Sequence, residues 1–167
     1  MKRKSLENEE CPLARSLEAI GDAWSVLIVR QAFAGDRRFG EFEKSLGVAK
    51  NILTVRLRKL VALGILEQVP ASDGGAHREY ALTEKGRGLF LVLMAIRQWG
   101  EGCGGPAEFV LVDKRDRKPV KPLAFRSHDG RDLTPDDMEL IPAEEFNRPA
   151  PTPRPVGRTG TRRPTPP

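Results

Sequence analysis

A leucine stripe at helical spacing, a glycine-tipped hairpin after it and six consecutive apolar residues beyond the hairpin predict a mainly α chain with a small β-wing. That order is a winged helix-turn-helix. Leu53, Leu57 and Leu60 recur at i, i+4 and i+7, one buried side of a helix running from Lys50 to Leu63 and closed by Gly64. Lys50, Asn51, Thr54, Val55 and Arg58 then make up the face turned away from the stripe. Amide, hydroxyl and guanidinium groups on such a face suit the major groove, where base edges present donors and acceptors that carry sequence information.

The other elements follow in chain order. Pro12 opens a first helix to Ile20, with Leu13, Leu17 and Ile20 aligned. A second helix holds Trp24, Leu27, Ile28 and Phe33. Phe39, Phe42 and Leu46 mark a short third helix, and Gly47-Val48-Ala49 turns the chain into the recognition helix. Ile65, Leu66 and Val69 start a strand, Ser72-Asp73-Gly74-Gly75 supplies turn residues, and Arg78 to Leu82 returns with Tyr80 and Leu82 on one face. His77 and Arg78 sit near the tip of that wing, where basic groups lie against phosphate or enter the minor groove. His77 reads equally well as an ordinary exposed hairpin residue. Thr83 caps a helix running from Glu84 to Trp99.

These motifs carry a family resemblance. Cys11-Pro12-Leu13-Ala14-Arg15, the run from Ile20 to Arg30 with Gly21-Asp22-Ala23-Trp24, Arg37-Arg38-Phe39, the run from Asn51 to Leu57, and Tyr80-Ala81-Leu82-Thr83-Glu84-Lys85-Gly86 resemble the HxlR-type winged helix regulators of bacteria, relatives of the MarR group. The resemblance covers Cys11 to Gly100. It implies a dimeric transcription factor, probing a roughly two-fold site on double-stranded DNA. It also implies that Cys11, just before the first helix, is a candidate sensor of oxidants or electrophiles; a half-buried structural thiol is the alternative. Two departures stand out. Ala49 replaces the serine that often caps the recognition helix, and Gly74-Gly75-Ala76 replaces a common proline pair in the wing.

Dimerisation also has support from the residues themselves. Leu89 to Met94 are apolar without a break, followed by Ile96 and Trp99, so the apolar surface wraps the helix. A helix at the edge of one small domain needs a single apolar stripe, and the surplus asks for a second partner. Leu13, Leu17, Leu89, Leu93, Met94, Ile96 and Trp99 are therefore expected at a homodimer interface, which would hold two recognition helices about one DNA turn apart, roughly 34 Å.

Charge narrows the argument. The net charge is +5, and the last 21 residues contribute all of it through Arg148, Arg154, Arg158, Arg162 and Arg163 with no acid, so residues 1–146 sum to zero. Affinity for DNA must then come from placement: Lys50, Arg56, Arg58 and Lys59 on the recognition helix, Arg37 and Arg38 before it, and Arg78 on the wing. Arg56 lies beside the buried stripe, so it touches phosphate or braces the domain instead of reading a base.

The expected organisation is a flexible N-terminus over 1–10, the winged helix domain with its dimerisation helices over 11–102, a small accessory β-hairpin over 103–146, and a disordered Pro/Arg-rich tail over 147–167. In the accessory part, Cys103-Gly104-Gly105-Pro106 breaks the helix. Glu108 to Val112 and Pro122 to Arg126 read as strands, the second ending at the Asp129-Gly130 turn, and Pro135 to Leu140 reads as a short helix opened by Thr134. This part would cover the dimer interface, shape a pocket for an unknown effector, or simply pack. Two cysteines and two histidines without ligand spacing give no metal site and no cofactor, and point to the cytoplasm; no apolar run reaches the length of a membrane span. No phosphate loop, carboxylate pair or nucleophile elbow supports an enzyme. The expected function is a sequence-specific repressor; the remaining alternative is a winged-helix dimerisation or interaction module that does not read sequence.

Overall fold

The computed structural model describes residues 5–104 and 109–147. The tail from Arg148 onward, the first four residues, Glu108 and the Gly105-Pro106 part of the expected helix break lie outside them. The chain divides into two compact units, residues 1–123 and 124–167.

In the first unit the element order is α1 Pro12–Ile20, α2 Ala23–Ala34, α3 Phe39–Leu46, α4 Lys50–Ala62, β1 Leu66–Pro70, β2 Arg78–Leu82, α5 Glu84–Arg87 and α6 Leu89–Glu101. Local chemistry sets the boundaries. The Asp22 carboxylate caps α2 by accepting the Ser25 amide at 3.0 Å and the Ser25 hydroxyl at 2.7 Å. Glu41 reaches back from the first turn of α3 to accept the amides of Arg37 and Arg38 at 2.7 and 2.8 Å. Gly47, at φ 59°, ends α3 in the left-handed conformation that makes the turn between helices. Ala49 gives α4 no side-chain cap, so packing holds that helix: Leu53, Leu57 and Leu60 are fully buried. They join Ile28 and Val29 of α2, Phe42, Val48, Ile65, Leu66 and Leu93 in one core.

The wing is a two-stranded antiparallel ribbon, with Leu66 opposite Leu82 and Pro70 opposite Arg78. The Tyr80 amide donates to the carbonyl of Arg37, in the segment just before α3, at 2.7 Å. Below it, the Thr83 hydroxyl donates to the Gly64 carbonyl at 2.6 Å and accepts the Gly86 amide at 3.0 Å. Gly86 is needed there because a Cβ would come within 2.1 Å of the Ile65 carbonyl oxygen.

Three expectations change in this unit. The single helix from Glu84 to Trp99 is two, α5 and α6, with Gly88 between them, and the second runs on to Glu101. Residues 5–10 are tied to α1 instead of flexible: the Leu6 amide donates to Glu18 at 3.1 Å, and the Arg15 guanidinium donates to the carbonyls of Glu9 and Glu10, each at 2.8 Å. The third change concerns the six apolar residues of α6, which lie on three different sides of the helix. Leu89 and Leu93 face the core beside Val26 and Val29. Phe90, Leu91 and Met94 face the segment 109–123, across an open apolar groove of about 520 Å³. Val92, Ile96 and Trp99 share the remaining side, 42%, 47% and 74% exposed. Leu89, Leu93 and Met94 are thus packed within the protomer, Leu93 being only 9% exposed, which leaves less of them than of Val92, Ile96 and Trp99 for a second copy. Helix phase is the reason, since residues one or two apart in a helix point to different sides.

The accessory region is also built differently from the expected hairpin. Residues 111–120 close on themselves, the Val120 amide donating to the Leu111 carbonyl at 3.1 Å and the Asp113 amide to the Lys118 carbonyl at 2.9 Å. Asp113 and Asp116 stabilise that turn by accepting the amides of Arg115 and Lys118. The segment is fixed to α6 by Gln98, whose amide side chain both donates to and accepts from the Leu123 backbone, at 3.1 and 2.7 Å, and by Arg97 donating to the Phe109 carbonyl. In the second unit β3 Phe125–Arg126 pairs with β4 Asp132–Leu133 across the Asp129-Gly130 turn, followed by a 3-10 turn Pro135–Asp137 and a short helix α7 Ala143–Phe146. Apolar alternation marked the strands, but side-chain turn chemistry chose their partners.

Candidate nucleic-acid interface

The three sides of α4 do different work. One side carries the core leucines. A second carries Arg56 and Lys59 toward the first two helices: Arg56 Nε lies 3.0 Å from the Asp22 carboxylate, and Lys59 Nζ donates to the Glu18 carbonyl at 2.7 Å. The third carries Lys50, Asn51, Thr54, Val55 and Arg58, and faces away from the body of the domain. Asn51, Val55 and Arg58 are exposed, and among the described residues neither Asn51 nor Arg58 spends its side chain on a hydrogen bond within the chain. Lys50 stands 3.7 Å from Glu43 in an exposed pair, which contributes little and is readily given up. Thr54 donates its hydroxyl proton to the Lys50 carbonyl at 2.7 Å, so it offers a base edge an acceptor oxygen and a methyl group.

The cations expected on phosphate are placed otherwise. Arg56 and Lys59 brace α4 against α2 and α1, as just described. Arg37 and Arg38 turn toward the wing, where Arg37 Nε lies 2.8 Å from Glu79 and Arg38 donates to both Glu79 and Asp73 at 3.1 and 2.6 Å. Arg78 folds along its own hairpin and donates to the Gln68 carbonyl at 2.8 Å. His77 remains exposed at the tip, 4.0 Å from Asp73. Of the basic residues singled out for the backbone, His77 and Arg78 are exposed on the wing. Arg37, Arg38, Arg56 and Lys59, expected on phosphate, each have an acid or a carbonyl of their own protomer within reach, as Arg78 does.

Two carboxylates respond to these arrangements. Burial pushes Asp22 up, but the Ser25 hydroxyl and amide, then Arg56 and Lys59, hold it below its ordinary value. Burial likewise pushes Glu79 up, and the Ser72 hydroxyl and amide with Arg38 and Arg37 outweigh it. Glu79 was missed in the sequence. The available signal was its position in β2, one residue before Tyr80 and on the opposite face from Tyr80 and Leu82. Cys11 is exposed at the cap of α1, and Cys103 is exposed as well.

With this geometry established, similarity to other proteins decides the family. The profile described as HxlR-like helix-turn-helix matches residues 19–108, more than half of the chain. The chain belongs to the HxlR-like helix-turn-helix family.

An uncharacterised HTH-type transcriptional regulator of Mycobacterium tuberculosis is 45% identical over 89 residues, 53% of this chain and 56% of that protein. The HxlR-like chain therefore spans just over half the length of the curated relatives it matches. The crystal structure of PA1607, a candidate transcription factor, is similar at 50% identity and a TM-score of 0.79, covering 83% of this chain and 99% of that one. A second candidate transcription factor, PA1374 of Pseudomonas aeruginosa, is similar at 37% identity and a TM-score of 0.58, covering 86% and 96%. Both overlaps are longer than residues 19–108, so much of the accessory region is shared with them. Members of the HxlR-like family are transcription regulators, not enzymes, and the helix-turn-helix described above is their DNA-binding element.

Proposed function

We propose that this HxlR-like chain is a sequence-specific repressor that binds an inverted-repeat promoter site as a homodimer. The observation that carries the reading is the outer side of α4, where Asn51, Thr54, Val55 and Arg58 stand together, uncommitted to the core, while the flanking cations are occupied. Arg58 suits a guanine edge, Asn51 an adenine edge, and Thr54 and Val55 a thymine methyl. His77 and Arg78 would meet the backbone from the wing. The homodimer reading rests on Val92, Ile96 and Trp99 of α6 together with Leu13 and Leu17 of α1, both also exposed. Ile20 at the end of α1 lines the same shallow hollow as Val92 and Ile96, so the two apolar stripes are continuous. A dimer sitting across a promoter excludes polymerase, which is why repression is the proposed sign.

The test is selection of genomic DNA fragments by the purified protein, with Thr54→Ala and Arg58→Ala as comparisons. Each variant should lose about 1–3 kcal/mol of discrimination at particular base pairs while keeping its oligomeric state. Equal affinity and selectivity in both variants would remove this face from the reading role and favour an interaction module. Cys11, exposed at the start of the proposed dimer helix, supports a redox-responsive form of the same function. DNA binding lost on mild oxidation and retained in Cys11→Ser would establish it, and binding unchanged by oxidation would discard it.

A further inference from the structure

Among the described residues Glu79 is the only charged side chain that is fully enclosed, at 1% exposure. Its Oε1 accepts the Ser72 hydroxyl at 2.9 Å and two donors of Arg38, Nε at 3.2 Å and Nη2 at 3.1 Å. Its Oε2 stands 2.8 Å from Arg37 Nε. Arg38 Nη2 simultaneously donates to Asp73 at 2.6 Å, and the other Asp73 oxygen accepts the Gly75 amide at 2.9 Å. The acids and the serine belong to the wing and its tip. The two arginines immediately precede α3, the first helix of the helix-turn-helix. A continuous polar chain therefore runs from the wing tip through Glu79 to the start of α3, and α3 packs on the recognition helix.

From this juxtaposition we infer that Glu79 is a positioning residue: with Arg37 and Arg38 it latches the wing at a fixed place relative to α4, so that the two DNA-reading elements act as one rigid unit. The wing needs such a device. Among the described residues its two strands pair only with each other, and a two-stranded ribbon is only marginally stable on its own. A buried ion cluster is a poor source of net stability, because desolvation consumes what attraction returns, whereas its strict geometry fixes one arrangement over others. The latch also explains why two arginines beside a DNA-binding helix turn toward the acids of the wing. In addition, Arg38 neutralises Asp73, the acid that would otherwise oppose phosphate at the wing tip.

The inference deepens the proposed DNA reading, so its test has one arm that does not depend on it. Glu79→Gln keeps the size of the side chain and an acceptor for Ser72 but removes the charge that gathers both guanidiniums. Without DNA, amide exchange followed by mass spectrometry should quicken in residues 72–78 of this variant and stay unchanged in α4. Unchanged exchange in the wing would overturn the latch whether or not the chain reads DNA. With the selected site, hydroxyl-radical footprints should lose the flanking protection given by the wing and keep the protection under α4. Affinity should fall roughly tenfold, the lower end of what a lost groove contact costs. A folded Glu79→Gln protein with the parental footprint and affinity would also overturn the proposal. If Glu79→Gln does not fold, Asp73→Asn at its half-exposed site carries the same readouts on the outer arm of the latch: quicker exchange over 72–76 supports the proposal and parental exchange there sinks it.

Discussion

Asp22 shows how much one side chain can decide. It starts α2 by capping the Ser25 amide, fills the Ser25 hydroxyl, and draws Arg56 across from α4. Replacing it with alanine should cost about 1 kcal/mol for the cap alone, with a further loss because Arg56 is left without its acid. Thermal unfolding of Asp22→Ala and Arg56→Ala measures this. The same Arg56→Ala protein separates bracing from phosphate contact: bracing lowers stability and leaves the salt dependence of DNA binding intact, while a slope smaller by about one would return Arg56 to the backbone. Arg56 and Arg58 are two residues apart and carry the same charge, yet one is committed to the fold and the other is exposed. Position on the helix, not residue type, makes that difference.

Among the elements, α6 is the one whose sides must be told apart. Its core side holds the protomer together, its second side packs along residues 109–123, and its open side is the proposed contact with a second copy. Val92→Glu combined with Ile96→Glu should give a folded monomer, seen as a parental circular dichroism spectrum with half the parental mass in sedimentation. An assembly of unchanged mass would move the interface elsewhere. Leu93→Glu is the informative contrast, since burying a carboxylate in the core should unfold the domain itself. The recognition helix makes the complementary point. With no capping side chain at Ala49, its placement depends on three leucines, and its outer side can carry whatever a base edge requires without disturbing the fold.

For the whole molecule the common feature is a set of carboxylates held below their ordinary values. Asp22 and Glu79 owe this to the partners described above, Glu41 to the Arg37 and Arg38 amides, and Asp73 to the Gly75 amide and Arg38. In each case the folded chain binds protons less readily than the unfolded chain. Their contribution is therefore complete above the ordinary values of 3.8 for aspartate and 4.5 for glutamate, and is lost as pH falls through the lower folded values. Urea midpoints should stay level from neutrality down to about pH 5 and drop below it, with the drop smaller in Glu79→Gln. A profile that held level into strong acid would mean these contacts do not persist in solution. Charge at this scale also divides the chain, since residues 1–146 are neutral and the final segment carries five arginines.

The sequence by itself determined what depends on neighbours close along the chain. Helical spacing placed α1 from Pro12 to Ile20 and the buried leucines of α4; turn residues placed the wing; Thr83 and Gly86 marked the junction after it. These are local signals, because helix period, caps and turns are settled within a few residues. Tertiary structure decided where the charged side chains went and which side of α6 stayed open. Arg38 meets Glu79, and Lys59 meets Glu18, across 41 residues each, and no periodicity connects partners at that separation. A burial pattern read along the chain can say that a residue faces inward or outward, but the identity of what it meets there is fixed only when distant elements pack.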